Sequence, residues 1–125
     1  MIAVAKAHGC KAVGVEIDKD LVALSRDRAK EAGVEKLATF EHGDLFEADF
    51  SPASVVALYI LPAMSRKLIP KLDNLKPGAR VVSHVFAIPG VVPDKVVKVT
   101  SDEDDVERSV YLYTTPLAKE KTGDR

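Results

Sequence analysis

Residues 11–33, KAVGVEIDKDLVALSRDRAKEAG, decide how the chain is read. An apolar run from Ala12 to Ile17 is interrupted by Gly14 and closed by the acids Glu16 and Asp18. A helical pattern follows at once, with Leu21, Leu24 and Ala32 spaced to share a buried face. Strand, short turn and helix make half of a βαβ unit. Glu16 then sits at the carboxyl end of the strand. An acid there in a doubly wound sheet accepts hydrogen bonds from the hydroxyls of a nucleoside ribose. The plainer alternative is a solvated acid that ends a strand.

Working outward, the residues before this stretch, Met1 to His8, read as the tail of a helix with Ile2, Val4 and Ala5 apolar and Gly9 closing it. A helix tail that feeds straight into a buried strand implies another strand upstream. Beyond the helix Lys19–Ala32, Gly33 is placed to end it. The next strand runs from Lys36 to Glu41 and enters HGDLFEADFSPASV, an acid-rich loop with Phe46 and Phe50 as anchors. Ser54 to Leu61, SVVALYIL, is the most continuous apolar run, the pattern of a central parallel strand covered on both faces. Pro62 ends it, and a helix from Ala63 to Leu75 follows. Pro70 inside that pattern predicts a kink or two short helices, because it removes an intrahelical donor.

A Pro-Gly turn at Pro77–Gly78 leads to a strand from Ala79 to Phe86, then the loop AIPGVVPD. The last third changes character. Lys95–Thr100 and Ser109–Thr115 alternate without a helix between them, which predicts an antiparallel pair at one edge of the sheet. The acids Asp102, Glu103, Asp104, Asp105 and Glu107 read as a solvated connection, since contiguous acids do not define a metal cage. Residues 1–118 are read as one domain, and 119–125 as a charged, frayed tail.

Composition sets the outer bounds. The 125 residues, 46 % apolar and 30 % charged, suit one soluble globular domain. A net charge of −1 gives no support to a nucleic-acid or membrane surface. Cys10, the one cysteine, permits neither an internal disulfide nor a thiolate metal cluster and reads as a small apolar residue. No apolar run approaches the roughly 20 residues that cross a bilayer, and the first ten residues lack the regions of a signal peptide. The expected location is the cytosol.

Strands alternating with helices and ending in an antiparallel pair resemble the seven-stranded α/β, Rossmann-like fold of class I S-adenosylmethionine-dependent methyltransferases. VGVEID resembles that family's second strand, with Glu16 matching the acid that binds the cofactor ribose. Ile17 and Asp18 fall where residues lining the adenine pocket lie. HGDLFEADF resembles the loop after the third strand. There Asp44 matches the acid facing the adenine amino group, and Leu45 matches an apolar wall. A carboxylate suits an exocyclic amine because it only accepts; the alternative for Asp44 is an Asx-turn or helix cap.

LYILP, KLDNLKPGARVVSHVF and SVYLY carry a closer resemblance, over nearly the whole chain, to prokaryotic methyltransferases of this class that act on protein lysines. That resemblance implies S-adenosyl-L-methionine as cofactor and a protein substrate; on charge and composition neither nucleic acid nor membrane is expected as partner. It places Tyr59, Ile60, Leu61 and Pro62 after the fourth strand, near the methyl group. The sequence has no Asn/Asp-Pro-Pro-Tyr element, which argues against adenine or glutamine as acceptor. Tyr59 and Phe86 offer ring faces to a lysine ammonium, or belong to the core. His84, at the end of the fifth strand, is either a polar residue at that mouth or a structural histidine. His42 reads as a supporting or surface residue and His8 as a helix-end residue.

The departure from the family concerns its first strand, which ends in an acid-Gly-x-Gly loop that holds the methionine part of the cofactor. This sequence has no such loop. In the family's order 3-2-1-4-5-7-6 the missing strand is central. Strand Lys11–Ile17 must therefore pair with Ser54–Leu61 directly, or two hydrogen-bonding edges stay open. A start at an internal methionine, a fragment completed by a partner or a homodimer, and a degenerate relative all fit; the reading favours the first. The alternative function is a non-catalytic oligomeric scaffold. A nicotinamide dehydrogenase shares the ribose acid but lacks a Gly-rich first turn and hydride-transfer residues.

Overall fold

The computed structural model describes residues 2–120, with side chains from residue 5 onward. In chain order the described residues form α1 (Ile2–His8), β1 (Ala12–Glu16), α2 (Lys19–Glu31), β2 (Ala38–His42), β3 (Val55–Leu58), α3 (Pro62–Asp73), β4 (Arg80–His84), β5 (Lys95–Thr100) and β6 (Glu107–Thr114). Contacts divide the chain into two compact units, one ending at Ala48 and the other beginning at Asp49. The side chains of Ile2 and Val4, expected on an apolar helix face, lie outside the described residues, as do residues 121–125 of the expected tail. No helix among the described residues is long and apolar enough to cross a membrane.

In the first unit β1 and β2 pair in parallel, from Ala12 opposite Ala38 to Glu16 opposite His42, with α2 as the crossover. Asp18 starts α2 as N-cap, its Oδ1 accepting from the amides of Asp20 and Leu21 at 2.9 and 3.4 Å. A carboxylate there satisfies helix donors that have no partner within the helix. Gly33 follows the last turn at φ 74°, a conformation that costs glycine little. The core gathers Ala5, Ala29, Val34 and Ala38, with Ala32, Leu37 and Phe40 packed against it. Phe40 lies across its register partner Gly14, where an added Cβ would come within 2.6 Å of the ring.

The structure shifts the expected helix face. Val22 and Ala29 are the buried residues of α2, whereas Leu21 and Leu24 are 48 % and 44 % exposed. At 100° per residue Leu21 lies about 90° and Leu24 about 150° round the helix from the stripe centred on Val22 and Ala29. There they line a shallow groove with Gly14, Val15, Glu16 and Phe40. The second strand also begins two residues later than expected. The Val34 carbonyl binds the amides of Leu37 and Ala38 in a turn, and the first bond to β1 is the Ala12 amide donating to the Leu37 carbonyl at 2.8 Å.

In the second unit the strand order is β3-β4-β6-β5. β3 and β4 are parallel, and β6 runs antiparallel to both β4 and β5. The antiparallel pair predicted for the last third is present, with β5 as its outer strand. Two other expectations change. β3 is a four-residue strand with a neighbour on one side only, and Val55 is 43 % exposed while Leu58 is buried. It is an edge of its sheet and not a central strand, and its exposed Val55 and Ala57 show that one face is not covered. Pro70 does not divide the helix: α3 continues through it to Asp73. Pro70 and Arg66 are both exposed, a position where the donor lost at Pro70 costs least because solvent is at hand. β1, like β3, has a strand partner on one side only among the described residues.

Lys119 and Glu120, expected in a frayed tail, are tied down. Lys119 pairs with Val91 in an antiparallel bridge and its ammonium lies 2.7 Å from Asp73 at the end of α3. The Glu120 amide donates to the Gly90 carbonyl at 2.8 Å.

Tyr113 is the largest fully buried side chain, and its hydroxyl accepts from the Ile88 amide at 2.8 Å. Burial pushes its phenol up from its ordinary value of about 10. Tyr113→Phe strands the Ile88 N–H and is expected to cost about 1–3 kcal/mol in urea unfolding, through loss of that bond rather than of volume. In the β5–β6 connection Asp104 pairs with Arg108 at 2.7 Å, and with help from the Val106 amide its carboxyl falls to about 2. The pair's contribution is present above the unfolded value of ~3.9 and is lost as pH falls toward 2. Carboxyl NMR is expected to show Asp104 titrating near 2, and Arg108→Ala to return it toward the ordinary range.

Candidate functional site

Each unit presents candidate side chains at the carboxyl ends of its own parallel strands. In the first, the register that sets Glu16 against His42 brings the end of β1 to the loop that leaves β2. The Gly43 amide donates to the Glu16 carbonyl at 2.9 Å, and His42 Nε2 donates to the Ile17 carbonyl at 2.8 Å. Glu16 and Asp44 therefore belong to one sheet end, with Ile17 and Leu45 beside them in sequence. Glu16 is half-buried, Leu45 half-buried and Ile17 70 % exposed, a large apolar side chain open at the strand end. Arg26 of α2 ties the helix to the middle of β2, its guanidinium donating to the Phe40 carbonyl at 2.8 and 3.2 Å.

The carboxylates are only partly engaged by the protein. Asp44 Oδ1 accepts from the Phe46 amide at 2.9 Å, an Asx-turn, while Asp44's carbonyl accepts from Glu47 and Ala48. Its second oxygen is left as an acceptor. Glu16 Oε1 meets the Asp18 amide at 3.4 Å, at the long end of a hydrogen bond. Asp18 is the most committed of the three, since one of its oxygens caps α2 through two amides.

In the second unit the register of Leu58 with Ser83 sets Tyr59, just beyond β3, beside His84 at the end of β4. Their ring centroids are 4.7 Å apart and the planes cross at 61°, edge to face. Phe86 stacks on the same tyrosine at 6.3 Å and 24°. Tyr59 is 66 % exposed, so this is an open cluster of three rings and not core. Behind it the chain makes a turn that the sequence did not signal. Val85 has φ 72°, the Phe86 amide donates to the His84 carbonyl at 2.9 Å, and the buried Ser83 hydroxyl donates to the Phe86 carbonyl at 2.5 Å. Valine carries no propensity for positive φ, so no residue type marked the position.

The donor set fits one half of a nucleoside cofactor. Carboxylates with free acceptor capacity suit ribose hydroxyls and an adenine amine, and exposed Ile17 and half-buried Leu45 suit the ring. The glycines at positive φ, Gly9, Gly33, Gly78 and Gly90, end helices or form turns, and the sequence holds no acid-Gly-x-Gly loop.

Helices alternating with parallel strands, followed by an antiparallel β4-β6-β5 arrangement, define the Rossmann-like fold of class I S-adenosylmethionine-dependent methyltransferases. An RNA methyltransferase from Salinibacter ruber, solved with S-adenosyl-L-homocysteine, superposes with a TM-score of 0.82. It is 46 % identical over 98 % of this chain and 76 % of its own. The chain belongs to the family described as the ANTKMT methyltransferase domain, whose profile matches residues 1–95. A protein-lysine N-methyltransferase of Saccharolobus islandicus is 41 % identical over 82 % of this chain and 63 % of its own length. The adenine nucleotide translocase lysine N-methyltransferase of Mus musculus is 34 % identical over 73 % of this chain and 42 % of its own. The chain thus spans less than two thirds of these two relatives.

Proposed function

We propose that this chain carries out S-adenosylmethionine-dependent methyl transfer to a protein amine, with the deprotonated ε-amine of a lysine as the acceptor. S-adenosylmethionine supplies a methyl group on a positively charged sulfonium. The observation that carries the cofactor half is the hydrogen-bonded end of β1 and β2, which presents Glu16 and Asp44 together. In this reading Glu16 holds the ribose hydroxyls, the second oxygen of Asp44 takes the adenine amine, and Ile17 and Leu45 flank the ring. Asp18 supports that wall by fixing the start of α2. The expected acceptor side is the ring cluster, where Tyr59 and Phe86 face a cation and His84 lies at their edge. Direct transfer needs a neutral amine held in line, so the protein's work is orientation and desolvation. The cytosol is the compartment that goes with this proposal.

The lysine acceptor is supported by two relatives, one named for protein-lysine methylation and one for lysine methylation of the adenine nucleotide translocase. RNA is a second reading, favoured by the name of the Salinibacter ruber relative. Incubation with methyl-labelled cofactor and a mixed extract separates them. Label removed by protease and kept through ribonuclease is the expected result; the opposite pattern would establish RNA. Absence of transfer to either would leave the scaffold.

Calorimetry with S-adenosyl-L-homocysteine tests the cofactor half separately. Glu16→Gln is expected to weaken binding roughly 10- to 100-fold, the loss of charge-assisted hydrogen bonds worth about 1.5–3 kcal/mol. Equal affinities for wild type and variant would remove Glu16 from the site.

A further inference from the structure

The turn at residues 84–86 is held in a conformation that its sequence resists. A β-branched residue at φ 72° is an outlier of the kind that persists only where its surroundings over-determine it. Three bonds do so here. The Phe86 amide closes an i to i+2 ring on the His84 carbonyl at 2.9 Å, which with the φ of Val85 makes a γ-turn. The Val85 amide donates to the Ser109 carbonyl at 2.8 Å, tying the turn to β6. The Ser83 hydroxyl, on a fully buried residue of β4, donates to the Phe86 carbonyl at 2.5 Å. The last is the only one of the three that depends on a side chain.

The turn also has a geometric effect. Two residues of extended strand advance roughly 6.7 Å, whereas a γ-turn draws its first and third residues together. His84 and Phe86 consequently both reach Tyr59, one edge-on at 4.7 Å and one stacked at 6.3 Å. A face built from several rings selects a cation over a neutral polar group.

We propose that Ser83 and Val85 are positioning residues: the Ser83 hydroxyl locks a strained γ-turn at Val85, which sets His84 and Phe86 against Tyr59 as a face for an alkylammonium group. The inference rests on the reading of this cluster as the acceptor side and adds the residues that build it. The strain matters because it makes the ring arrangement depend on the lock. Without the hydroxyl, Val85 relaxes toward negative φ and the rings separate.

The test is a set of full-length variants read by NMR, with tetramethylammonium ion as the cationic probe. Ser83→Ala is expected to move the His84 ring-proton shifts toward exposed-histidine values and to weaken tetramethylammonium binding at least threefold. Its affinity for S-adenosyl-L-homocysteine is expected to stay within twofold. Glycine has no Cβ and adopts positive φ at little steric cost, so Val85→Gly removes the strain and makes the lock dispensable. Ser83→Ala/Val85→Gly is therefore expected to restore both the His84 shifts and the probe affinity. A merely structural role for Ser83 predicts no such rescue.

Wild-type His84 shifts in Ser83→Ala, or their failure to return in the double variant, would overturn the lock. If Ser83→Ala does not fold, the double variant decides alone by the same shifts. Moved shifts with unchanged probe affinity would overturn the ammonium face while leaving the turn. None of these readouts requires methyl transfer, so a failure of the proposed activity is seen separately in the labelling experiment.

Discussion

Parallel pairing aligns Glu16 with His42 and Leu58 with Ser83, and the placement of every candidate side chain follows from those two registers. In a parallel pair both chains leave the sheet at the same end, so loops distant in sequence become neighbours. That is why Asp44, far along the chain from Glu16, shares its sheet end. It is also why Tyr59 meets His84. Slipping either register by one residue would turn the side chains to the other face. The short bonds at the strand ends, Gly43 to Glu16 and His42 to Ile17, hold the first register where it matters most.

The same polar groups serve the fold and remain available to a ligand. Asp44 spends one oxygen on its own Asx-turn and keeps one, and Asp18 caps a helix through two amides. This division follows from chemistry: a carboxylate has acceptor capacity for more than one donor. In the second unit the balance differs, because a buried serine hydroxyl and two amides hold a valine where glycine is the usual occupant. Open apolar surface accompanies both arrangements. Ile17, Leu21 and Leu24 in one unit and Tyr59 in the other are large and exposed. Apolar surface of this kind, beside polar groups with spare acceptors, suits ligand contact.

Much of this was legible in the residues. Alternating apolar runs and turn residues marked the strands, and the helix-free last third marked the antiparallel β5–β6 pair. What failed were inferences about neighbours. The run from Ser54 to Leu61 reads as covered on both faces, yet Val55 and Ala57 are exposed; the edge position of β3, by contrast, was one of the two outcomes expected from the missing first strand. Leu21 sits about a quarter turn and Leu24 nearly half a turn round the helix from the stripe that is buried, a difference of phase set by how α2 meets its sheet. Pro70 reads as a break, but it is exposed, with solvent at hand where the donor is lost, and the helix continues. Val85 gave no signal at all, since its φ is imposed by Ser83 and Ser109. Glu16, Asp44, Tyr59 and His84 were legible as candidates because an acid or a ring at a strand's carboxyl end has a distinctive position.

The central claim is that the ends of β1 and β2 form the adenosine half of a cofactor site. Backbone amide NMR of the chain during titration with S-adenosyl-L-homocysteine tests it most directly. The account predicts saturable shifts concentrated at Ile17, Asp18, Gly43, Asp44 and Leu45, with the buried amides of α3 unmoved. Saturable binding that shifts other amides and leaves those five in place would contradict it.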